Sequence, residues 1–289
     1  MSAGGEARLQ ALDEVLDQAE ARTTSSDQGL LKNLAAVVTG APREAHMDAL
    51  PGDLFAVVDA LDSSVSLRRA MTDPSTPEEG RRRLVHTLLD GKVSKVAVHI
   101  VEEAAALRWG GGRALSDALE RQGVRAQLMV AERAGSLDEV EDELFRFARV
   151  VEATPKVRDS LSDRAFDIAG RRALVEDLLR GRASDTTVVL ARRAVAARQR
   201  TFAHTIEGYT ELAAAQKNRV VATVRVARPL SGEQRSRLQA ALAKQVGREV
   251  LLQEVLDEDV LGGVRVELGD EVIEGTVAGR LESARRLFG

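Results

Sequence analysis

Four histidines, His46, His86, His99 and His204, are the side chains best suited to proton transfer or metal ligation, and they are scattered along the chain. No two have the His-x-x-x-His spacing that sets both imidazoles on one helix face, and no carboxylate pattern beside them completes a zinc site. Cysteine is absent, which excludes disulfides and thiolate metal centres. Asp90-Gly91-Lys92 has the look of a phosphate loop. Such a loop needs a glycine five residues before its Gly-Lys and Ser or Thr after it, and here His86 and Val93 stand in those places. No Gly-x-Ser-x-Gly nucleophile elbow occurs. His99, inside Val-Ala-Val-His-Ile-Val, is expected at a core edge. The basic runs Arg81-Arg82-Arg83 and Arg171-Arg172 are expected at helix starts, as a solvated face or as partners for acidic helices. Trp109 and Tyr209, the single residues of their kinds, are expected as core fillers, with Tyr209 also a claimant for an interface. Catalytic, cofactor-binding and metal-binding residues are all expected to be none.

What remains is shape. At 289 residues with 44% apolar composition the chain can build two or three cores, and its aromatic content of 3% suits a helix-rich architecture. Net charge is −4 with both signs interspersed, and no basic stripe argues for nucleic acid. No run approaches 18 uncharged apolar residues, so no span is expected. The N-terminus lacks a basic region followed by an apolar one, so it does not read as a secretory signal. The expectation is a soluble cytoplasmic protein, which leaves room for a peripheral seat on a membrane complex.

The chain also repeats itself. Leu54–Glu102 and Leu144–Arg192 align without a gap at an offset of 90, through pairs such as Leu54/Leu144, Phe55/Phe145, Arg81/Arg171, Leu89/Leu179, Gly91/Gly181 and Ser94/Ser184. The shared residues are helix-core aliphatics and glycines at helix ends, the pattern of a duplicated helical unit that builds surface. Helices are expected over 7–20, 28–38, 53–71, from Thr76-Pro77 to Gly91, 94–109, 114–134, from Ser136 through Val140, Leu144, Phe147 and Val151, and over 167–180, 185–199 and 201–217. Thr23–Ser26 reads as a break, and so does the neighbourhood of Pro155. At Arg219 the period changes. Val220, Ala222, Val224 and Val226 alternate as in a strand, Ser231-Gly232-Glu233-Gln234 is a capping box, and Glu249–Val255 reads as a second strand. Val264, Val266 and Leu268 with Val272-Ile273 flank a Gly269-Asp270 turn, and 277–288 reads as a last helix. The fold class is therefore mainly α with a small α+β C-terminal domain: two helical-bundle copies, then a strand-helix-hairpin-helix unit. The divisions expected are 1–119, 120–218 and 219–289.

The C-terminal stretch carries Ala227, Pro229, Leu230, then Asp257 shortly before Gly262-Gly263-Val264, then Gly269-Asp270-x-Val272-Ile273-Glu274-Gly275-Thr276. This pattern resembles the C-terminal domain of the delta subunit of bacterial F-type ATP synthases, a family that includes the mitochondrial oligomycin-sensitivity-conferring protein. Glu258, Glu274 and Thr276 depart mildly from the family pattern. Residues 120–289 correspond to the usual family chain, and 1–119 resemble the extension of a long form with a duplicated helical domain.

The resemblance implies a non-enzymatic stator connector. It would clasp N-terminal helices of the alpha subunits through its helical domain and the peripheral stalk b through its C-terminal domain, resisting torque during proton-driven ATP synthesis. It implies a peripheral seat at the cytoplasmic face of the cell membrane. The candidate alpha-subunit interface is Leu128, Phe202, Ile206 and Tyr209, between helices 114–134 and 201–217. The alternative is a helical-repeat adaptor that binds amphipathic partner helices.

Overall fold

A computed structural model describes residues 3–27, 47–163, 167–196, 201–257, 260, 263–268 and 271–274. They belong to two compact units, Met1–Leu16 with Glu44–Lys217 and Asp17–Arg43 with Asn218–Gly289.

The helices are α1 (Ala3–Asp27), α2 (Leu50–Ser63), α3 (Val65–Thr72), α4 (Glu78–Leu89), α5 (Lys95–Ala106), α6 (Gly112–Arg133), α7 (Leu137–Ala153), α8 (Pro155–Ser162), α9 (Ile168–Leu179), α10 (Asp185–Ala194) and α11 (Phe202–Lys217). The backbone of α1 runs through the break expected at Thr23–Ser26. The single helix expected over 53–71 is two helices, parted at Ser64, whose extended backbone (φ −124°, ψ 106°) frees its hydroxyl to accept from the Leu67 N–H. Thr76 does not cap α4, which starts after Pro77 without a side-chain cap, and Ser136 does not cap α7. The expected helix 28–38 and His46 lie outside the described residues.

Two apolar cores organise the helical unit. Leu12 and Leu16 of α1 join Leu54, Val58 and Leu61 of α2, Ile100 and Val101 of α5, and Leu115, Leu119 and Met129 of α6 in the first. Val124 and Leu128 of α6 join Val140, Leu144, Phe147 and Val151 of α7, Leu190 of α10, and Phe202, Ile206 and Tyr209 of α11 in the second. The stripe read on α7 is thus the buried one. Helix α6 contributes to both cores. It packs on α2 as α11 packs on α7, which makes it the last helix of one copy and a wall of the next. The division expected at 119/120 falls inside this continuous helix.

The offset of 90 holds in three dimensions. Gly91 and Gly181 both adopt left-handed backbone (φ 72° and 67°) just past α4 and α9, the helix-ending role expected of them. The Ser94 and Ser184 hydroxyls cap α5 and α10. Arg81 and Arg171 do not stand on an exposed face, Arg81 being buried and Arg171 half-buried. Arg81 is buried and donates to the carbonyls of Ala105 (2.6 Å), Ala106 (2.7 Å) and Thr76 (2.5 Å). Arg171 donates to the carbonyls of Val195 and Leu161, each at 3.4 Å. Each arginine supplies donors to carbonyls at the C-terminal end of the following helix, at positions 105 and 195 that are again 90 apart. The solvated-face expectation fails for these two because those carbonyls would otherwise be left without partners.

The second unit holds β1 (Arg219–Val226), α12 (Gly232–Val246), β2 (Glu249–Leu256), β3 (Arg265–Leu268) and β4 (Glu271–Glu274), in a sheet ordered β2-β1-β3-β4. Parallel β1 and β2 are joined across α12, β3 runs antiparallel to β1, and β3–β4 is the expected hairpin. The capping box at Ser231 and Gln234 is complete, and Gly247 ends α12 at φ 71°. Ala222, Val224 and Val226 pack with Leu242, Val250, Leu252 and Val266 in one core. The last helix expected over 277–288 lies outside the described residues.

Candidate functional site

The candidate residues on α6 and α11 are core residues. Leu128 and Ile206 are 0% exposed, Phe202 2% and Tyr209 7%. Phe202 meets Phe147 edge to face at 5.8 Å between centroids. Tyr209 donates its hydroxyl to Glu120 of α6 (3.1 Å), and burial together with the Glu120 charge pushes its pKa well above the usual phenol value. These four side chains form the floor between the two helices and offer little direct surface.

Glu120 belongs to a cluster the sequence reading missed, which clamps one copy to the other. Arg193 of α10, 7% exposed, donates through Nε to both Glu120 oxygens (2.8 Å each) and through Nη1 to Asp59 of α2 (2.6 Å). Its guanidinium lies over the Phe55 ring at 4.8 Å. Burial alone would lower the arginine pKa, but the two carboxylates outweigh it and hold it above its ordinary value. Phe55 in turn presses on α6 at Gly123, where a methyl would stand 2.6 Å from the ring. The side of α6 facing α1 is fixed by Asp13, which accepts from Gln122 (2.7 Å) and pairs with Arg125 (3.0 Å) and Arg121. Burial raises the Asp13 pKa, and the two arginines more than reverse that. The signal for the clamp was within reach: the repeat alignment stops at 102/192, one residue before Glu103/Arg193, where the charge inverts.

A second missed pair ties each α2-type helix to the start of an α5-type helix. Asp53 accepts the Ser94 N–H (2.9 Å). At the same offset, Glu143 accepts the Ser184 N–H (3.0 Å), the Ser184 hydroxyl (2.7 Å) and the Thr187 hydroxyl (2.6 Å). Burial would raise the Glu143 pKa, and these bonds bring it below the usual carboxylate value.

In the strand unit, Ala227 and Pro229 are exposed, while Leu230 packs on the sheet core and donates its N–H to Glu254 (2.6 Å). The Asp257 N–H donates to the Val226 carbonyl (2.9 Å), and its carboxylate faces Arg225 at 3.7 Å. Gly263 has φ 101°, a left-handed value that favours glycine. Val264 packs on the core, and Val272 and Ile273 pair with Glu267 and Val266. Gly262, Gly269, Asp270, Gly275 and Thr276 lie outside the described residues. His86, His99 and His204 are exposed, so His99 is not at the core edge. Among the described residues no group of three metal-ligating side chains occurs, and no helix is long and apolar enough to cross a membrane.

These features define a mainly helical scaffold with a small α/β unit. The family described as ATP synthase delta (OSCP) subunit matches residues 122–288. The ATP synthase subunit delta of Kineococcus radiotolerans is 46% identical over 235 residues, 81% of this chain and 85% of that protein. That of Streptomyces avermitilis is 45% identical over 238 residues, 82% and 87%. That of a Parafrankia species is 40% identical over 275 residues, 94% of this chain and 99% of its own, so its match takes in most of the extension before residue 122. The chain belongs to the ATP synthase delta (OSCP) subunit family, and is non-catalytic.

Proposed function

We propose that this chain is the stator connector of an F-type ATP synthase. In this reading it joins N-terminal helices of the alpha subunits to the peripheral stalk b, at the cytoplasmic face of the cell membrane. The observation that carries the reading is family membership over both the second helical copy and the strand unit. The build of the helical unit suits the task. A connector that resists torque must not bend between its partner sites, and α6 serves both cores while Arg193 locks α10 to α2 and α6.

In this proposal an alpha-subunit helix lies over α6 and α11, with Leu128, Phe202, Ile206 and Tyr209 as the floor that sets their spacing. The strand unit takes b, through residues around Ala227, Pro229, Leu230, Asp257, Gly262, Gly263, Gly269, Asp270 and Gly275. The division into 1–119, 120–218 and 219–289 then describes three partner-facing parts, the first acting as a brace. A chain ending at Gly247 loses β2, β3 and β4 and leaves β1 with unpaired edges. It should keep its helical circular dichroism and lose co-purification with b. Retention of b by that chain would refute the assignment of the strand unit.

A further inference from the structure

The two copies treat one phenylalanine oppositely. Phe55 of α2 is 8% exposed, with its ring on Gly123 of α6 and under the guanidinium of Arg193, which pairs with Asp59 one turn along. Each member of that contact on α2 and α6 has a counterpart at the offset of 90. Phe145 of α7 stands for Phe55, and it is 55% exposed. Arg149 stands for Asp59. Ala213 of α11, fully buried, stands for Gly123. A methyl at 123 would collide with the Phe55 ring, so an alanine at the matching place on α11 removes the niche that holds Phe55 in the first copy. In the first copy this face is met by Arg193, which reaches it from α10 of the next copy. The second copy is followed by the strand unit, and its Phe145 is exposed.

We propose that the Phe145–Arg149 face of α7 docks an amphipathic helix of a partner subunit, which sets a side chain over Phe145 and Arg149 as α10 sets Arg193 over Phe55 and Asp59, but with the charges reversed. An apolar side chain would cover Phe145, and a carboxylate would take the place of Arg193 and meet Arg149. The neighbouring charges permit this. Arg146 pairs with Asp142 (2.6 Å) and Arg149 with Glu152 (3.5 Å), all four side chains more than half exposed. Beside them Lys217 of α11 is taken by Asp138 and Glu141. Exposed pairs within one helix are weak, and a guanidinium with five N–H donors has room for a second carboxylate. A second copy of this chain is the poorer occupant. It would offer Glu103 at the place of Arg193, and Glu103 is already held by both terminal nitrogens of Arg82. This docking face is separate from the α6–α11 pair assigned above to the alpha helix, and it stands whether or not that assignment does.

The test is photocrosslinking in the assembled complex, with p-benzoylphenylalanine replacing Phe145 in the full chain. The expected product joins position 145 to a helical segment of another subunit that carries Asp or Glu within one turn of the joined residue. Arg149→Glu in the same background should cut the yield about tenfold, and Arg149→Lys should restore most of it. Both positions are exposed, so folding is preserved and can be checked by thermal melting. The proposal is overturned by a product formed only with residues 218–289 or with a second copy of this chain, by no product, or by a yield indifferent to Arg149→Glu.

Discussion

In the first copy the Ser94 N–H rests on Asp53; in the second the Ser184 N–H rests on Glu143. Arg81 and Arg171 donate to the carbonyls at 105 and 195. Asp59 and Arg149, Glu103 and Arg193, Gly123 and Ala213 do not correspond in this way: charge or volume differs at each pair. The agreeing positions satisfy backbone groups at helix ends, a need both copies share because both bury those ends. Of the differing positions, Asp59 and Arg193 meet across the copies, while their counterparts Arg149 and Glu103 pair within their own copy. A duplicated domain thus separates the residues that make the bundle from those that decide what it touches.

The largest expected effect tests the floor of the second core. Phe202→Ala removes a ring that is 2% exposed and packed on Phe147, and should cost about 4 kcal/mol in urea unfolding. A loss under about 1 kcal/mol would mean that Phe202 stands on a surface instead. Next comes the contrast between the two phenylalanines. Phe55→Ala should cost about 3 kcal/mol, since it empties the Gly123 niche and strips the apolar side from Arg193. Phe145→Ala in the isolated chain should stay within about 0.5 kcal/mol. Equal losses would dissolve the distinction between a buried joint and an open face.

The carboxylate pair gives a smaller, pH-dependent difference. Glu143→Gln removes the charge and replaces one of the two oxygens that accept from three donors with an NH2, and should cost about 2 kcal/mol at pH 7; Asp53→Asn, with one bond to Ser94, should cost about 1 kcal/mol. The folded pKa of Glu143 lies below its unfolded value, which is about 4.3. Its charge-dependent stability is therefore complete above that pH and fades as pH falls through the folded value. The gap between the natural chain and Glu143→Gln should shrink between pH 5 and pH 3, and a gap constant over that range would contradict the depressed pKa.

The sequence was legible where a residue type had one cheap reading. Gly91 and Gly181, Ser231 with Gln234, the stripe on α7 and the alternation in β1 all reappear as built. It was opaque where long side chains chose partners distant in the chain. Nothing local distinguishes Arg81, which closes the end of α5, from Arg83, and Arg193 meets Asp59 134 residues away. The anchors chosen on α11 were apolar, as a groove or a core would be, and periodicity cannot tell the two apart. Their burial places them beneath the surface. The shared role of α6 was hidden for a related reason. A helix with two apolar sides reads from sequence as one helix, and the repeat alignment ended before its residues could be matched to those of α11.

The smallest predicted effect follows from a break the sequence announced in one copy only. The second copy parts α7 from α8 at Thr154, with Pro155 as the first residue of α8. The first copy parts α2 from α3 at Ser64, the same place in the repeat, with Val65 following. Proline made the second break readable; valine concealed the first. Ser64 already has the extended backbone that a residue before proline requires. Val65 opens α3, where a proline fits, and is 52% exposed. Val65→Pro should therefore stabilise the chain by about 0.5 kcal/mol, chiefly by restricting the unfolded state, seen as a small rise in the urea midpoint at unchanged slope. A fall of about 1 kcal/mol or more would show that the two breaks differ in geometry and that the copies are less alike at this corner than their backbones indicate.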